Sequence, residues 1–169
     1  MTTAPTPTLR DNPIFLTQRA ALALAARCRK ALRARGISDV NPAQLSILAA
    51  VESADGTTAT ALSQIVLYEK STLTPLLDKL ETAGLILRAR DPNDGRVQRL
   101  FITKKGRKRR RDAETVIAGL TATVFDALPK KVLKHHVEFC EAVLATTTEE
   151  APPALPAPKP TRALAARNA

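Results

Sequence analysis

The run KKGRKRRR at positions 104–111 carries seven basic residues in eight. Lysine and arginine at that density neutralise polyanions, phosphates above all. Cations at the start of a helix oppose its macrodipole, so Lys104, Lys105 and Arg107 are read as phosphate contacts rather than as stabilising charges. A second set lies in KSTLTPLLDK, where Lys70, Ser71, Thr72, Thr74, Pro75, Asp78 and Lys79 all avoid a stripe of leucines. Short hydroxyls can donate to phosphates or base edges, and a threonine methyl or a proline ring fits a thymine methyl. A third set lies in LRARDPNDGR, where Arg88 and Arg90 alternate along an extended run and Asp94 and Arg96 occupy a turn. There Asp94 can pair with an arginine and orient the tip, while Arg96 suits a narrow, electronegative groove.

Other chemistries find little support. Cys28 and Cys140 lie far apart, without a CxxC or a metal-type spacing, and each falls in an apolar helical stripe. There a free cysteine behaves as a small hydrophobe, with redox sensing the minor reading. His135 and His136 are adjacent, so on a helix they point apart and cannot form an i, i+4 metal pair. No phosphate loop, catalytic triad or paired carboxylates appear in a motif context, so neither an enzyme, a cofactor nor a metal is expected. One tyrosine, four phenylalanines and no tryptophan argue against recognition of unpaired bases by stacking.

The bulk properties agree with a nucleic-acid partner. Twenty-six Lys and Arg against sixteen Asp and Glu give a formal charge of +10. Mere solubility would account for the charge alone equally well. A chain of 169 residues suits one domain with an adequate core. The apolar stretch around Ala20–Ala26 is too short to cross a bilayer, and the N-terminus lacks the pattern of a signal peptide, so a membrane partner is not expected.

The elements that must position these groups follow from periodicity. Ala21, Leu24, Cys28 and Leu32 form one stripe of a helix from Ile14 to Arg35, stopped by Gly36. Asn41, Pro42 and Gln44 open a second helix as cap, first residue and capping-box partner, with Leu45, Leu48 and Ala49 inward. A short third helix is capped near Thr58, with Ala59, Leu62 and Val66 inward. After a turn at YEK, Leu73, Leu76, Leu77 and Leu80 mark a fourth, which Gly84 ends.

Ser71 or Thr72 is expected to cap that fourth helix. Pro75 would then fall at the edge of a distorted first turn, with regular helix from about Pro75 to Ala83. Two helices joined by so short a turn read as a helix-turn-helix. LILRAR and VQRLFIT around DPNDGR then read as a hairpin, with Ile86, Arg88 and Arg90 on one wet, basic face. Two more helices follow, along Ile117, Leu120, Val124 and Leu128 and along Leu133, Val137, Cys140 and Leu144.

Over residues 62–107, LSQIVLYEKSTLTPLLDKLETAGLILRARDPNDGRVQRLFITKKGR, the chain resembles the MarR family of winged-helix transcription regulators. The motifs are the leucine-spaced helix, the GL stop, the DPNDGR wing tip and FITKKG. The resemblance implies a mainly α fold with a small β-hairpin wing, a winged helix-turn-helix with flanking dimerisation helices. It implies residues 13–40 and 104–146 as the dimerisation helices and 41–103 as the DNA-binding winged helix, within a domain of 13–146. Residues 1–12 and the Pro/Ala-rich 147–169 are expected to be disordered tails by composition.

It further implies a homodimer on a pseudo-palindromic operator in double-stranded DNA, and a cytoplasmic place at a bacterial or archaeal nucleoid. The function implied is that of a repressor released by a small-molecule or oxidant effector, acting between the DNA-binding and dimerisation parts. TLTPLLDKLE looks most like the branch that senses organic peroxides, yet no cysteine stands near Ile14 or Phe15, where that branch has one. Gly95 replaces the commoner second arginine of the wing, implying one fewer positive contact. Two other readings stay open: a basic architectural DNA-binding protein without sequence preference, and a winged-helix protein–protein adaptor.

Overall fold

The computed structural model describes residues 12–147; of the expected tails, 1–12 and 147–169, residues 1–11 and 148–169 lie outside the described residues. Six helices and three strands follow in the order α1 (Pro13–Ala34), α2 (Pro42–Ser53), β1 (Thr57–Thr58), α3 (Ala59–Val66), α4 (Lys70–Thr82), β2 (Ile86–Arg90), β3 (Gln98–Ile102), α5 (Lys104–Phe125) and α6 (Lys130–Thr147). It is a winged helix-turn-helix, mainly α, with a small antiparallel sheet ordered β1-β3-β2.

Local chemistry sets most boundaries. Asn41 and Gln44 close a reciprocal capping box: the Gln44 N–H donates to Asn41 Oδ1 at 3.0 Å, and the Asn41 N–H to Gln44 Oε1 at 3.1 Å. Thr58 Oγ1 accepts from the Ala61 N–H to cap α3. The core centres on α2, which is buried on more than one side: besides the expected Leu45 and Leu48, Ile47, Ala50 and Val51 are also inside. Leu62 of α3, Leu73, Leu77 and Leu80 of α4, and Leu100 and Ile102 of β3 complete it. Each such side chain contributes about 1.5–3 kcal/mol by leaving water.

Three expectations are corrected. The fourth helix begins at Lys70 rather than beyond a Ser71 or Thr72 cap, and Pro75 lies inside it. The preceding turn is the reason. Leu67 takes a left-handed conformation (φ 55°), and Glu69 stands at the N-cap without a side-chain bond, its carbonyl accepting from Leu73 N–H at 2.9 Å. The chain is already helical before the hydroxyls arrive. Second, the hairpin gains a two-residue strand, with Thr57 opposite Leu100. Third, its faces do not alternate cleanly: Leu85 and Ile86 are both buried where α4, β2 and α5 meet.

At that meeting point Gly106 is required. A Cβ there would stand 2.0 Å from the Leu85 carbonyl oxygen and 2.9 Å from Ile102 Cγ1. Thr103 caps α5 by accepting from the Gly106 N–H at 2.9 Å and donates its hydroxyl to the Gly84 carbonyl at 2.8 Å. The first turns of α5, down to the buried Ala113, therefore pack on the winged helix.

Candidate nucleic-acid interface

The outer face of α4 assembles the expected groups. Lys70, Ser71, Thr72, Thr74, Pro75, Asp78 and Lys79 are all exposed, with Leu73, Leu77 and Leu80 buried behind them. Their roles separate on inspection. The Thr74 hydroxyl donates to the Lys70 carbonyl at 2.8 Å, so its proton is already used and it can only accept elsewhere. Ser71 and Thr72 remain as hydroxyl donors.

Asp78 and Arg88 engage each other. One guanidinium nitrogen of Arg88 lies 2.7 Å from Asp78 and the other 2.9 Å from Glu81, which pins β2 against α4. The expected basic face of the hairpin is therefore partly neutralised within the protein. Arg90, at the end of β2, and Arg96, in the wing, are exposed.

The carboxylate that organises the wing is Asp91, which sequence reasoning missed. It is 7% exposed and pairs with Arg99 Nε, while Arg99 also donates to the Gly56 carbonyl at 2.9 Å. Its other oxygen accepts from the Asn93 N–H at 2.7 Å and the Asp94 N–H at 3.3 Å. The Asn93 N–H first, and then the Arg99 guanidinium, hold the Asp91 carboxyl below its ordinary value. Asp94 instead accepts from the Arg96 N–H at 2.9 Å, ordering the backbone of the tip rather than gripping an arginine. The hairpin register that sets Arg99 across from Ala89, two residues before Asp91, was the available signal.

The basic run on α5 is mostly engaged inside the molecule. Lys105 Nζ donates to the Ala83 carbonyl at 2.7 Å, closing the end of α4. Arg107 reaches Glu52 at 3.3 Å and Asp55 at 4.0 Å, and Arg110 reaches Glu52 at 2.5 Å and also Glu114. Arg109 pairs with Asp39 at 3.0 Å, and Lys108 with Asp112 at 2.8 Å. Burial pushes Glu52 up, but hydrogen bonds from Arg107 and Arg110 outweigh it and leave its carboxyl below the ordinary value. These carboxylates offset the cations at the start of α5, an explanation the run alone does not reveal. Lys104 is exposed.

Cys28 and Cys140 are free and half-buried; Cys140 Sγ lies 3.7 Å from His136 Nε2 on α6. Among the described residues no three His, Cys, Asp or Glu side chains are grouped to hold a metal. No described helix is long and apolar enough to cross a membrane.

A helix-turn-helix with an exposed polar recognition face, followed by a braced β wing with exposed arginines, defines the winged-helix class. Comparison with known proteins agrees. Residues 40–97 match the MarR family model. The regulator SarZ of Staphylococcus epidermidis is 30% identical over 80 residues, which are 47% of this chain and 51% of SarZ; the chain thus spans about half the length of the curated relatives it matches. Among solved structures, CouR from Rhodococcus jostii RHA1, bound to p-coumaroyl-CoA, is 26% identical over 86% of this chain and 100% of its own, with a TM-score of 0.67. The M. tuberculosis transcriptional regulator MOSR in complex with DNA is 26% identical over 80% of this chain and 98% of its own, with a TM-score of 0.64. Over residues 40–97 the winged helix of this chain is thus similar to that of the MarR family.

Proposed function

We propose that this chain is a dimeric, sequence-specific DNA-binding transcription regulator, a repressor released by an effector and working in the cytoplasm. The observation that carries the reading is the exposed face of α4 beside a wing whose tip is ordered by Asp91 and Asp94 while Arg90 and Arg96 stay exposed. In this reading α4 enters the major groove: Ser71, Thr72, Lys70 and Lys79 meet phosphates or base edges, and Pro75 with the Thr74 methyl makes apolar contact. Arg96 enters the adjacent minor groove, and Arg90 and Lys104 meet backbone phosphates. Asp78 and Arg88 act as positioning residues that fix the wing against α4. Lys105 and Arg107 act through the fold, since both are already engaged.

Dimerisation is supported by apolar side chains left uncovered on the outer helices. Ile14, Leu16 and Leu22 of α1 and Val132, Val137, Phe139 and Leu144 of α6 are exposed in the single chain, and a second copy would bury them. In this assignment residues 13–40 and the later part of 104–146 form the dimer platform, and 41–103 with the first turns of α5 form the DNA-binding unit. A cleft of about 440 Å³ between α1 and α5, lined by Ala31, Arg35, Val116 and Leu120 among others, lies beside that junction and suits an effector. CouR with its p-coumaroyl-CoA and MOSR with its DNA support the two halves of this reading.

The test is competition binding of the full chain to the intergenic segment beside its own gene, at physiological salt. Specific binding a thousandfold or more above bulk duplex is expected. Equal affinity for both would favour an architectural protein, and no affinity a protein–protein adaptor.

A further inference from the structure

The cations of α1 take no part in the DNA interface described above. The 22 residues of this helix hold five cations, Arg19, Arg27, Arg29, Lys30 and Arg33, and no Asp or Glu. All five are exposed, and none has an ion-pair partner among the described residues. On α5, by contrast, Arg107, Arg109 and Arg110 each hold a carboxylate. Like charges one turn apart disfavour a helix, so the row on α1 weakens the isolated fold.

Two of the five converge on a formed site. Arg29 and Arg33 line a cavity of about 150 Å³ at the corner between α1 and α2, together with Ser38, Asn41 and Gln44. The capping box engages the side-chain oxygens of Asn41 and Gln44, and the amide NH2 of each adds a donor. Gln44 is 5% exposed, which makes its amide a fixed part of the wall. No carboxylate lines the cavity. Guanidinium and amide donors lining one cavity, with no carboxylate in its own wall, suit an oxyanion.

The position of the corner indicates which oxyanion. Ser38, Asn41 and Gln44, together with Asp39, which Arg109 holds at 3.0 Å, also line a neighbouring cleft whose far wall is Asp78, Lys79 and Thr82 of α4. The donor corner is thus continuous with the flank of the recognition helix. We propose that it binds a backbone phosphate of the duplex beside the segment met by α4, so that Arg29 and Arg33 extend the DNA interface from the winged helix onto α1. The proposal rests on the DNA-binding reading above.

The experiment measures operator affinity of the full chain against salt, for wild type, Arg29→Gln/Arg33→Gln, and Arg19→Gln as a control further along α1. Losing the one phosphate held by the corner should make the log–log salt slope shallower by about 0.9. The advantage of wild type over the double variant then shrinks roughly 3.5-fold between 50 and 200 mM salt. Trimming the duplex to the core half-sites should abolish that advantage, and Arg19→Gln should leave the slope unchanged.

An unchanged slope in the double variant, or an equal change with Arg19→Gln, overturns the proposal. So does a wild-type melting temperature raised by inorganic phosphate alone, lost in the double variant without any change in DNA slope, since the corner would then serve a free anion. Arg96→Ala separates the two levels. If it weakens binding while the double variant does not, only this proposal fails; if wild type has no duplex affinity, the regulator reading fails with it.

Discussion

Gly106→Ala tests how α5 is seated on the winged helix. The new methyl would begin 2.0 Å from the Leu85 carbonyl oxygen, against 3.4 Å for the start of ordinary contact. The neighbour is backbone, so α5 and the start of β2 must part by about 1.4 Å, the difference between those distances. That movement strains the Thr103 N–H to Leu85 carbonyl bond at 3.0 Å and the Thr103 hydroxyl to Gly84 carbonyl bond at 2.8 Å. Overpacking of this kind costs about 1–3 kcal/mol, and a weakened hydrogen bond about 1 more. A loss of about 3 kcal/mol lowers Tm by roughly 6–12 °C in a domain of this size.

Gly119→Ala on the same helix supplies the control, because a Cβ there meets nothing within 4 Å. Replacing a helical glycine by alanine should then stabilise by about 1 kcal/mol. Thermal unfolding by circular dichroism, at one fixed protomer concentration, reads both variants. Opposite signs are expected. A Gly106→Ala protein that melts with wild type, or two variants that shift together, would refute the packing assigned to this junction.

Further outcomes follow from the interface. Arg88→Gln should weaken operator binding although Arg88 meets no DNA, since it leaves Asp78 and Glu81 unneutralised beside phosphates; adding Asp78→Asn should recover part of the loss in a double-mutant cycle. Arg96→Ala should make the salt slope of binding shallower by about one unit, and an unaltered slope would remove Arg96 from the interface. Because the Asp91 carboxyl is depressed, its contribution to wing order is fully present above its ordinary value of 3.8 and is lost as pH falls through the lower folded value. Amide exchange in the wing should therefore separate wild type from Asp91→Asn at neutral pH and merge them in strong acid; a difference that persists unchanged there would contradict the assignment.

The sequence revealed what depends on local periodicity and capping. The leucine spacing of α4, the Asn41–Gln44 box and the turn signal of DPNDGR each report a structure made within a few residues. What stayed hidden depends on contacts between distant segments. Seven basic residues in eight look like a nucleic-acid patch until α2 and its flanking loops bring Glu52, Asp39 and Asp55 beside them. Asp91 looked like one more turn residue, because its partner Arg99 is brought near only by the hairpin register. Pro75 was misplaced because the start of α4 is set by the left-handed turn at Leu67 rather than by a hydroxyl cap.

The measurement that bears most directly on the regulator reading is a hydroxyl-radical footprint of the full chain on its own upstream DNA, at physiological salt. A two-fold protein with one α4 and one wing per subunit predicts two related half-sites about 34–36 Å apart, protected together, with the minor groove shielded beside each. Uniform protection along the fragment, or none, would contradict it.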